Sequence, residues 1–239
     1  MRRAEPVLVF DLDGTILTVN SFPRWALDML AGRVSGLPWR QRLRLSLATQ
    51  SLLFGRKLGR ANHDALLADL QDAWRTVCGE AAEAASSRFA TRLLRHVRPA
   101  LGPILEYVAR GDADAVLATA AAEDYARVVG RTLGFRHILA SRAAAEGGNR
   151  GARKRDAVLA LLQEQGWSDR PLLFFTDHLD DLPLIEVSTT VCWFGSRRDV
   201  PAIQSAASGV RIVFLEDLDT TVLTMAAAPS QAAARPSTA

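Results

Sequence analysis

The sequence predicts an α/β fold: a doubly wound, Rossmann-like and mostly parallel sheet core with an inserted all-helical cap. Three observations carry this. Short uncharged apolar runs recur along the chain with helical patterns between them. The first run, Val7-Leu8-Val9-Phe10, leads directly into Asp11-Leu12-Asp13-Gly14-Thr15, placing two carboxylates where open α/β sheets keep their ligand crevice. Residues 20–98 then break the rhythm, with helical spacing and no convincing strand.

Each element has a local reason. Val7–Phe10 reads as a buried strand, being short, uncharged and β-branched, and Gly14 breaks it. In the inserted segment Leu66, Leu70, Ala73, Trp74 and Val77 share one helical face, and Phe89, Leu93 and Val97 share another. Asn62 or Asp64 offers an N-cap for the first of these, and Pro99 follows the last. Further strands are expected at Ala115–Ala118, Leu172–Phe175, Thr190–Phe194 and Val210–Phe214, with His137–Ala140 a weaker candidate. Ala157–Leu162 has the length and lack of breakers of a helix. The expected division is a core of residues 1–19 and 99–225, a helical cap of residues 20–98, and a disordered tail, 226–239, rich in Ala, Pro and Ser.

Composition narrows the class of function. The chain has 239 residues, 49% hydrophobic and 23% charged, an ordinary globular balance. A net charge of +3 is too small to imply nucleic-acid binding. The charge is unevenly placed, however: from Ser21 to Arg60 eight bases face one acid, Asp28. Two cysteines, Cys78 and Cys192, cannot build a disulfide framework and fit a reducing compartment. The N-terminal apolar run is too short for a signal peptide, and Leu45–Gly55 is too short to span a bilayer. A soluble, cytoplasmic protein is expected.

Three strand candidates end in an oxygen-bearing side chain: Asp11, Thr119 and Asp177. In a parallel sheet such ends lie along one edge, so residues far apart in sequence converge. Lys154 adds a cation, because Lys154, Val158 and Leu161/Leu162 follow the spacing of a helix face turned to the sheet. Acids, a hydroxyl and a lysine together suit a phosphoryl group held with a divalent cation.

The ordered set Asp11-x-Asp13-Gly14-Thr15, Thr119, Lys154 and Thr176-Asp177-His178-Leu179-Asp180-Asp181 resembles the four motifs of the haloacid dehalogenase superfamily. Asp177-x-x-x-Asp181-Leu182-Pro183, with a helical insertion straight after the first motif, resembles its phosphoserine-phosphatase-like branch. The resemblance implies a phosphoric monoester hydrolase acting through an aspartyl-phosphate intermediate. By that resemblance Asp11 is the nucleophile and Asp13 the general acid, then base. Asp13's main-chain carbonyl, with the side chains of Asp11 and Asp177, would hold Mg²⁺. Thr119 and Lys154 would bind phosphate, Lys154 also neutralising charge during transfer, and Asp181 would orient a metal-bound water or Lys154 from behind. A dehalogenase has no use for the second acid or for the metal site.

Plainer readings stand beside these. Asp11 and Asp13 also suit an Asp-Gly turn, Thr119 a hydroxyl bonded to backbone, Asp177 a helix N-cap, and Lys154 and Asp181 the surface. The order of the four motifs decides for the site. Asp180 reads as solvent-facing and His178 as a loop histidine. His63, His96 and His137 read as surface or satisfied core residues, and Trp25, Trp39 and Trp74 as bundle packing. Ala120-Ala121-Ala122 departs from the glycine- or serine-rich loop common in relatives. The basic segment is read first as a solvated helix face with its apolar side in the cap core. Steering of phosphate substrates and contact with an anionic membrane surface are its other readings.

The resulting expectation is a Mg²⁺-dependent phosphatase acting on a small phosphorylated metabolite, without a nucleic-acid partner. The alternatives are a phosphotransferase, a lipid-phosphate phosphatase at a membrane surface, and a catalytically silent binding module on the same fold.

Overall fold

The computed structural model describes residues 5–34, 36–58, 62–143 and 148–214; the tail expected from residue 226 lies outside them. Strand β1 (Val7–Phe10) opens the chain. Four helices follow: α1 (Ser21–Leu30), α2 (Trp39–Lys57), α3 (His63–Cys78) and α4 (Ala82–Leu93). Helix α5 (Gly102–Arg110) leads into β2 (Ala115–Ala122), α6 (Glu123–Thr132) and β3 (His137–Ser141). The chain continues through α7 (Ala152–Glu164), β4 (Leu172–Thr176) and the short α8 (Leu182–Ile185). The described residues close with β5 (Thr190–Trp193), α9 (Val200–Ala206) and β6 (Arg211–Phe214).

The six strands form one sheet in the order β3-β2-β1-β4-β5-β6, and every pairing is parallel. Strand β1 lies at the centre, so both its faces must be apolar, which explains its unbroken Val-Leu-Val-Phe run. Its alternate residues feed two cores. Val7 and Val9 join Val116, Phe174, Val158 and Leu162 on the face covered by α7. Leu8 and Phe10 face the other way with Leu117 and Phe175, and the Phe10 and Phe175 rings stack with centroids 4.2 Å apart.

That second core does not stop at the sheet. It continues into the inserted helices through Trp25, Met29, Leu70, Trp74 and Phe89. Tyr125 of α6 is the joint, its ring 5.5 Å from Trp25 and 5.0 Å from Phe89. Polar contacts reinforce the seam: Arg75 pairs with Asp124 at 2.8 Å, and Gln71 donates to Asp124 and to the Ser141 carbonyl. Burial of large apolar and aromatic side chains, at roughly 25 cal/mol per Å², is what holds the insertion against the sheet. Of the two cap candidates for α3, Asn62 serves, its side chain accepting from the Ala65 N–H at 2.8 Å.

Three expectations change. Val97, expected on one helical face with Phe89 and Leu93, is extended beyond the helix end and bridges Leu17. Strand β2 runs past Thr119 to Ala122 rather than ending near Ala118, with its register against β3 slipping between Ala118 and Ala122. Thr119 thus sits in an irregular stretch of strand. Trp39 is not bundle packing: it is 64% exposed, unlike the buried Trp25 and Trp74.

Candidate active site

The carboxyl ends of β1, β2 and β4 border a cavity of about 310 Å³ that is lined by Asp11, Asp13, Thr119, Lys154, Asp177 and Asp181 among others. The structure therefore brings together the six residues expected to form the site. Asp11 follows β1 directly, its N–H donating to the Phe175 carbonyl at 2.9 Å. The chain then turns sharply at Gly14, whose φ of +75° suits glycine. Space demands glycine as well: a Cβ there would lie 2.0 Å from Asp177 Oδ2.

Lys154 occupies the first turn of α7 and is buried with Val158 and Leu162 on the same face. Its ammonium donates to Asp11 Oδ1 at 2.9 Å and reaches Asp181 Oδ1 at 2.7 Å. Thr176 Oγ1 donates to the other oxygen of Asp181 at 2.6 Å. Asp181 is thereby held between a strand hydroxyl and the lysine. The plain surface readings of Lys154 and Asp181 fail, because both are only 3% exposed.

Asp13 points the other way. Its Oδ2 accepts from Ser21 Oγ at 2.8 Å, and Ser21 Oγ lies 2.9 Å from the Tyr125 hydroxyl. Its Oδ1 is buried without a hydrogen-bond partner. Thr15 Oγ1 donates to Asp177 Oδ1 at 3.3 Å. The Thr119 hydroxyl oxygen accepts from the Ala121 N–H at 3.1 Å, which leaves its own proton free to donate.

These contacts set the electrostatics. Burial pushes Asp11 up to about 7, against the lowering pull of Lys154. Burial likewise raises Asp13 to about 6, against the Ser21 hydrogen bonds, and raises Asp177. Lys154 is raised, because Asp11 and Asp181 together outweigh its own desolvation, so it stays an ammonium. One lysine is thus shared among several buried acids, and the site is short of positive charge.

That shortage bears on Mg²⁺. The donors are all oxygen, and burial pushes the Asp11 and Asp177 carboxyls toward their neutral form. A hard dication among oxygens relieves each of these. Among the described residues no three His, Cys, Asp or Glu side chains form a complete metal-binding group. The expected set does not require one, since it combines the Asp11 and Asp177 carboxylates with Asp13's main-chain carbonyl. The residues present fit the ion.

Several contributors carry no signal in the sequence. Asn149 donates to the carbonyls of Thr119 and Leu139 at 3.1 and 2.9 Å, pinning the irregular stretch of β2. Arg98 donates to the Gly14 and Thr15 carbonyls at 2.7 and 3.1 Å and lies over the Phe194 ring, bracing the loop from below. His63, expected at the surface or in the core, lines the cavity and packs edge-on against Phe22, 5.0 Å between centroids. His178 also borders the cavity, and its Nδ1 accepts from the Asp180 N–H at 3.1 Å. Asp180 is exposed and lies 3.4 Å from Arg150. Asn149 and Arg98 carry no mark in the sequence, whereas His63 reads there as a surface or core residue, His178 as a loop histidine and Asp180 as solvent-facing.

A parallel sheet with acids and a lysine gathered at its carboxyl edge, and with helices inserted after its first strand, defines a protein of α/β architecture with a polar site at the strand ends. The chain belongs to the haloacid dehalogenase-like hydrolase family, whose model matches residues 8–186. Among solved structures it is similar to a protein of unknown function from Bordetella pertussis Tohama I. That match has TM-score 0.68 and 17% identity, covering 89% of this chain and 99% of that one. It is also similar to a probable phosphoserine phosphatase from Vibrio cholerae, with TM-score 0.55 and 12% identity over 93% of this chain and 64% of that one. A haloacid dehalogenase family hydrolase from Salmonella enterica serovar Typhi gives TM-score 0.52 and 12% identity over 88% and 68%. At such identities the likeness is one of fold. No curated protein matches the chain.

Proposed function

We propose that the protein is a Mg²⁺-dependent phosphatase that hydrolyses a small phosphate monoester through an aspartyl-phosphate on Asp11. The observation that carries this is the buried Lys154, bonded to Asp11 at 2.9 Å and held by Asp181 at the cavity wall. A lysine fixed beside a nucleophilic carboxylate suits a transferring phosphoryl group, whose charge spreads over its non-bridging oxygens.

In the first step an Asp11 carboxylate oxygen attacks phosphorus and the ester P–O bond breaks. Asp13 gives its proton to the leaving oxygen, a role favoured by a carboxyl raised to about 6, which keeps part of it protonated near neutrality. In the second step Asp13, now ionised, takes a proton from water. That water attacks the aspartyl-phosphate, releasing inorganic phosphate and regenerating Asp11. Thr119 and Lys154 hold phosphate oxygens throughout, and Ser21 fixes the Asp13 carboxyl through Oδ2. Asp11, Asp177 and the Asp13 carbonyl would hold Mg²⁺, which when bound neutralises phosphate charge and favours ionised Asp11. The inserted helices, with Phe22 and His63 at the cavity, would select what the phosphate is attached to.

The test is hydrolysis of p-nitrophenyl phosphate and a panel of metabolite phosphates, with and without Mg²⁺. Asp11→Asn should cut turnover at least ~10³-fold while leaving the fold intact. Undiminished hydrolysis by carefully purified mutant protein would sink the nucleophile assignment. Absence of Mg²⁺-dependent turnover across the whole panel would revive a silent binding module.

A further inference from the structure

Helix α2 is apolar on two opposite faces, and only one of them is covered. Leu45 and Thr49 are buried, with Leu52 and Leu53 packed against the core. On the other side Trp39, Leu43, Leu47 and Phe54 are 64%, 49%, 55% and 62% exposed, and Leu58, just past the helix end, is 52% exposed. At 3.6 residues per turn these five fall within an arc of about 100°. Gln50 lies in the same arc, between Leu47 and Phe54. The expected arrangement of this segment, an apolar side in the cap core, accounts for one stripe and leaves the second in water. Scattered exposed leucines are ordinary, but a continuous stripe on a helix of 19 residues, about 28 Å long, marks a contact surface.

The charge says what kind. Helix α2 contains Arg40, Arg42, Arg44, Arg56 and Lys57 and no acid, and all five cations are exposed. None of the five joins an ion pair among the described residues, while the Arg40 guanidinium lies over the Trp39 ring at 5.5 Å. Tryptophan, leucine and phenylalanine along one stripe, flanked by cations with no acids, is the pattern of a helix lying in a membrane interface. A nucleic-acid backbone would satisfy the arginines and leave the leucines hydrated. No helix among the described residues is long and apolar enough to cross a membrane.

We propose that α2 docks the protein onto the surface of an anionic lipid bilayer, its Trp39–Phe54 stripe sunk among the headgroups and the arginines of its N-terminal half, with Lys57, against lipid phosphates. The placement relates the surface to the site. Burial, with the charges of Arg150 and Arg56, holds His63 below its usual range, so the C-terminal end of α2 lies within electrostatic reach of a residue lining the cavity. The docking surface does not depend on the phosphatase reading.

The full chain should cosediment at low salt with vesicles of phosphatidylcholine and phosphatidylglycerol, and not with phosphatidylcholine alone. Raising the salt should release it. Arg40→Gln/Arg42→Gln/Arg44→Gln should weaken partitioning about a hundredfold, each cation near an anionic surface contributing roughly fivefold. Leu43→Gln/Leu47→Gln/Phe54→Gln should abolish binding. Both variants should keep the wild-type melting temperature and hydrolysis of soluble p-nitrophenyl phosphate, since none of these residues touches the cavity. Failure of the wild type to bind anionic vesicles would overturn the proposal, and so would binding that survives both variants. A dimer in light scattering that the leucine variant dissolves, without vesicle binding, would reassign the stripe to a second copy of the chain. A protein that binds vesicles and hydrolyses no phosphate ester would overturn the phosphatase reading and leave the docking surface standing.

Discussion

Replacing Lys154 with methionine would take one ammonium away from two carboxylates while keeping the bulk of the side chain. That ammonium sits 2.9 Å from Asp11 Oδ1 and 2.7 Å from Asp181 Oδ1, with all three residues less than a tenth exposed. Removing one partner of a buried ion pair costs about 3–5 kcal/mol, because a charge is left uncompensated. Here the cost must depend on pH. Burial holds Asp11 at about 7 in the folded protein, against an ordinary 3.8, so the folded chain keeps a proton that the unfolded chain releases. Ionising a carboxyl raised in this way costs stability as pH climbs from about 4 to 7, and Lys154 limits that cost. At pH 5 Asp11 is neutral in both proteins, so the variant forfeits only the pairing with Asp181, and the penalty should be roughly 2 kcal/mol. At pH 8 both carboxylates are deprived of the ammonium and the penalty should reach about 3–5 kcal/mol. Urea unfolding in EDTA at the two pH values, followed by tryptophan fluorescence, measures this directly through the midpoint at constant slope. An equal penalty at both pH values, or a larger one at pH 5, would refute the placement of Lys154 as the counter-charge of Asp11.

Two further substitutions probe how the backbone serves the site. Gly14→Ala puts a Cβ 2.0 Å from Asp177 Oδ2 at a φ of +75°. The backbone cost of about 1–2 kcal/mol should lower the melting temperature by several degrees, and the displaced Asp177 should raise the Mg²⁺ concentration for half-maximal activity about tenfold or more. An unchanged Mg²⁺ requirement would remove Asp177 from the metal set. Asn149→Ala removes a donor from the buried Thr119 carbonyl and from the half-buried Leu139 carbonyl, a loss of about 2 kcal/mol in denaturant unfolding. Because one carbonyl belongs to Thr119, KM for p-nitrophenyl phosphate should rise several-fold with kcat changed less. A drop in kcat alone would show that Asn149 serves something other than phosphate binding.

Much of the core was legible because it is written in local pattern. Val7–Phe10 has no charge and ends in Asp11 and Gly14, so strand and turn follow from chain chemistry alone. Lys154, Val158 and Leu162 share one face of any helix drawn through them, and they share it in α7. The partners that brace the site left no such trace. Ser21 meets Tyr125 across 104 positions and Arg98 reaches the Gly14 carbonyl across 84, pairings that no spacing rule connects. Asn149 resembles any polar loop residue, and its role appears only where β2 slips register beside it. His63 has no partner at ligand spacing, yet the packing of α1 and α3 puts it at the cavity with Phe22.

Sequence alone thus determined the parallel sheet, the order of the acids and lysine along its carboxyl edge, and the helical character of the insertion. Periodicity and turn chemistry act over a few residues and report backbone state and which side chains share a face. Tertiary structure decided which of two apolar faces of α2 is covered, that Asp181 bonds Lys154, and that Asp13 is held by Ser21. Burial and long-range hydrogen bonds depend on what packs alongside, and a helix with two apolar faces carries no local sign of which one its neighbours will take.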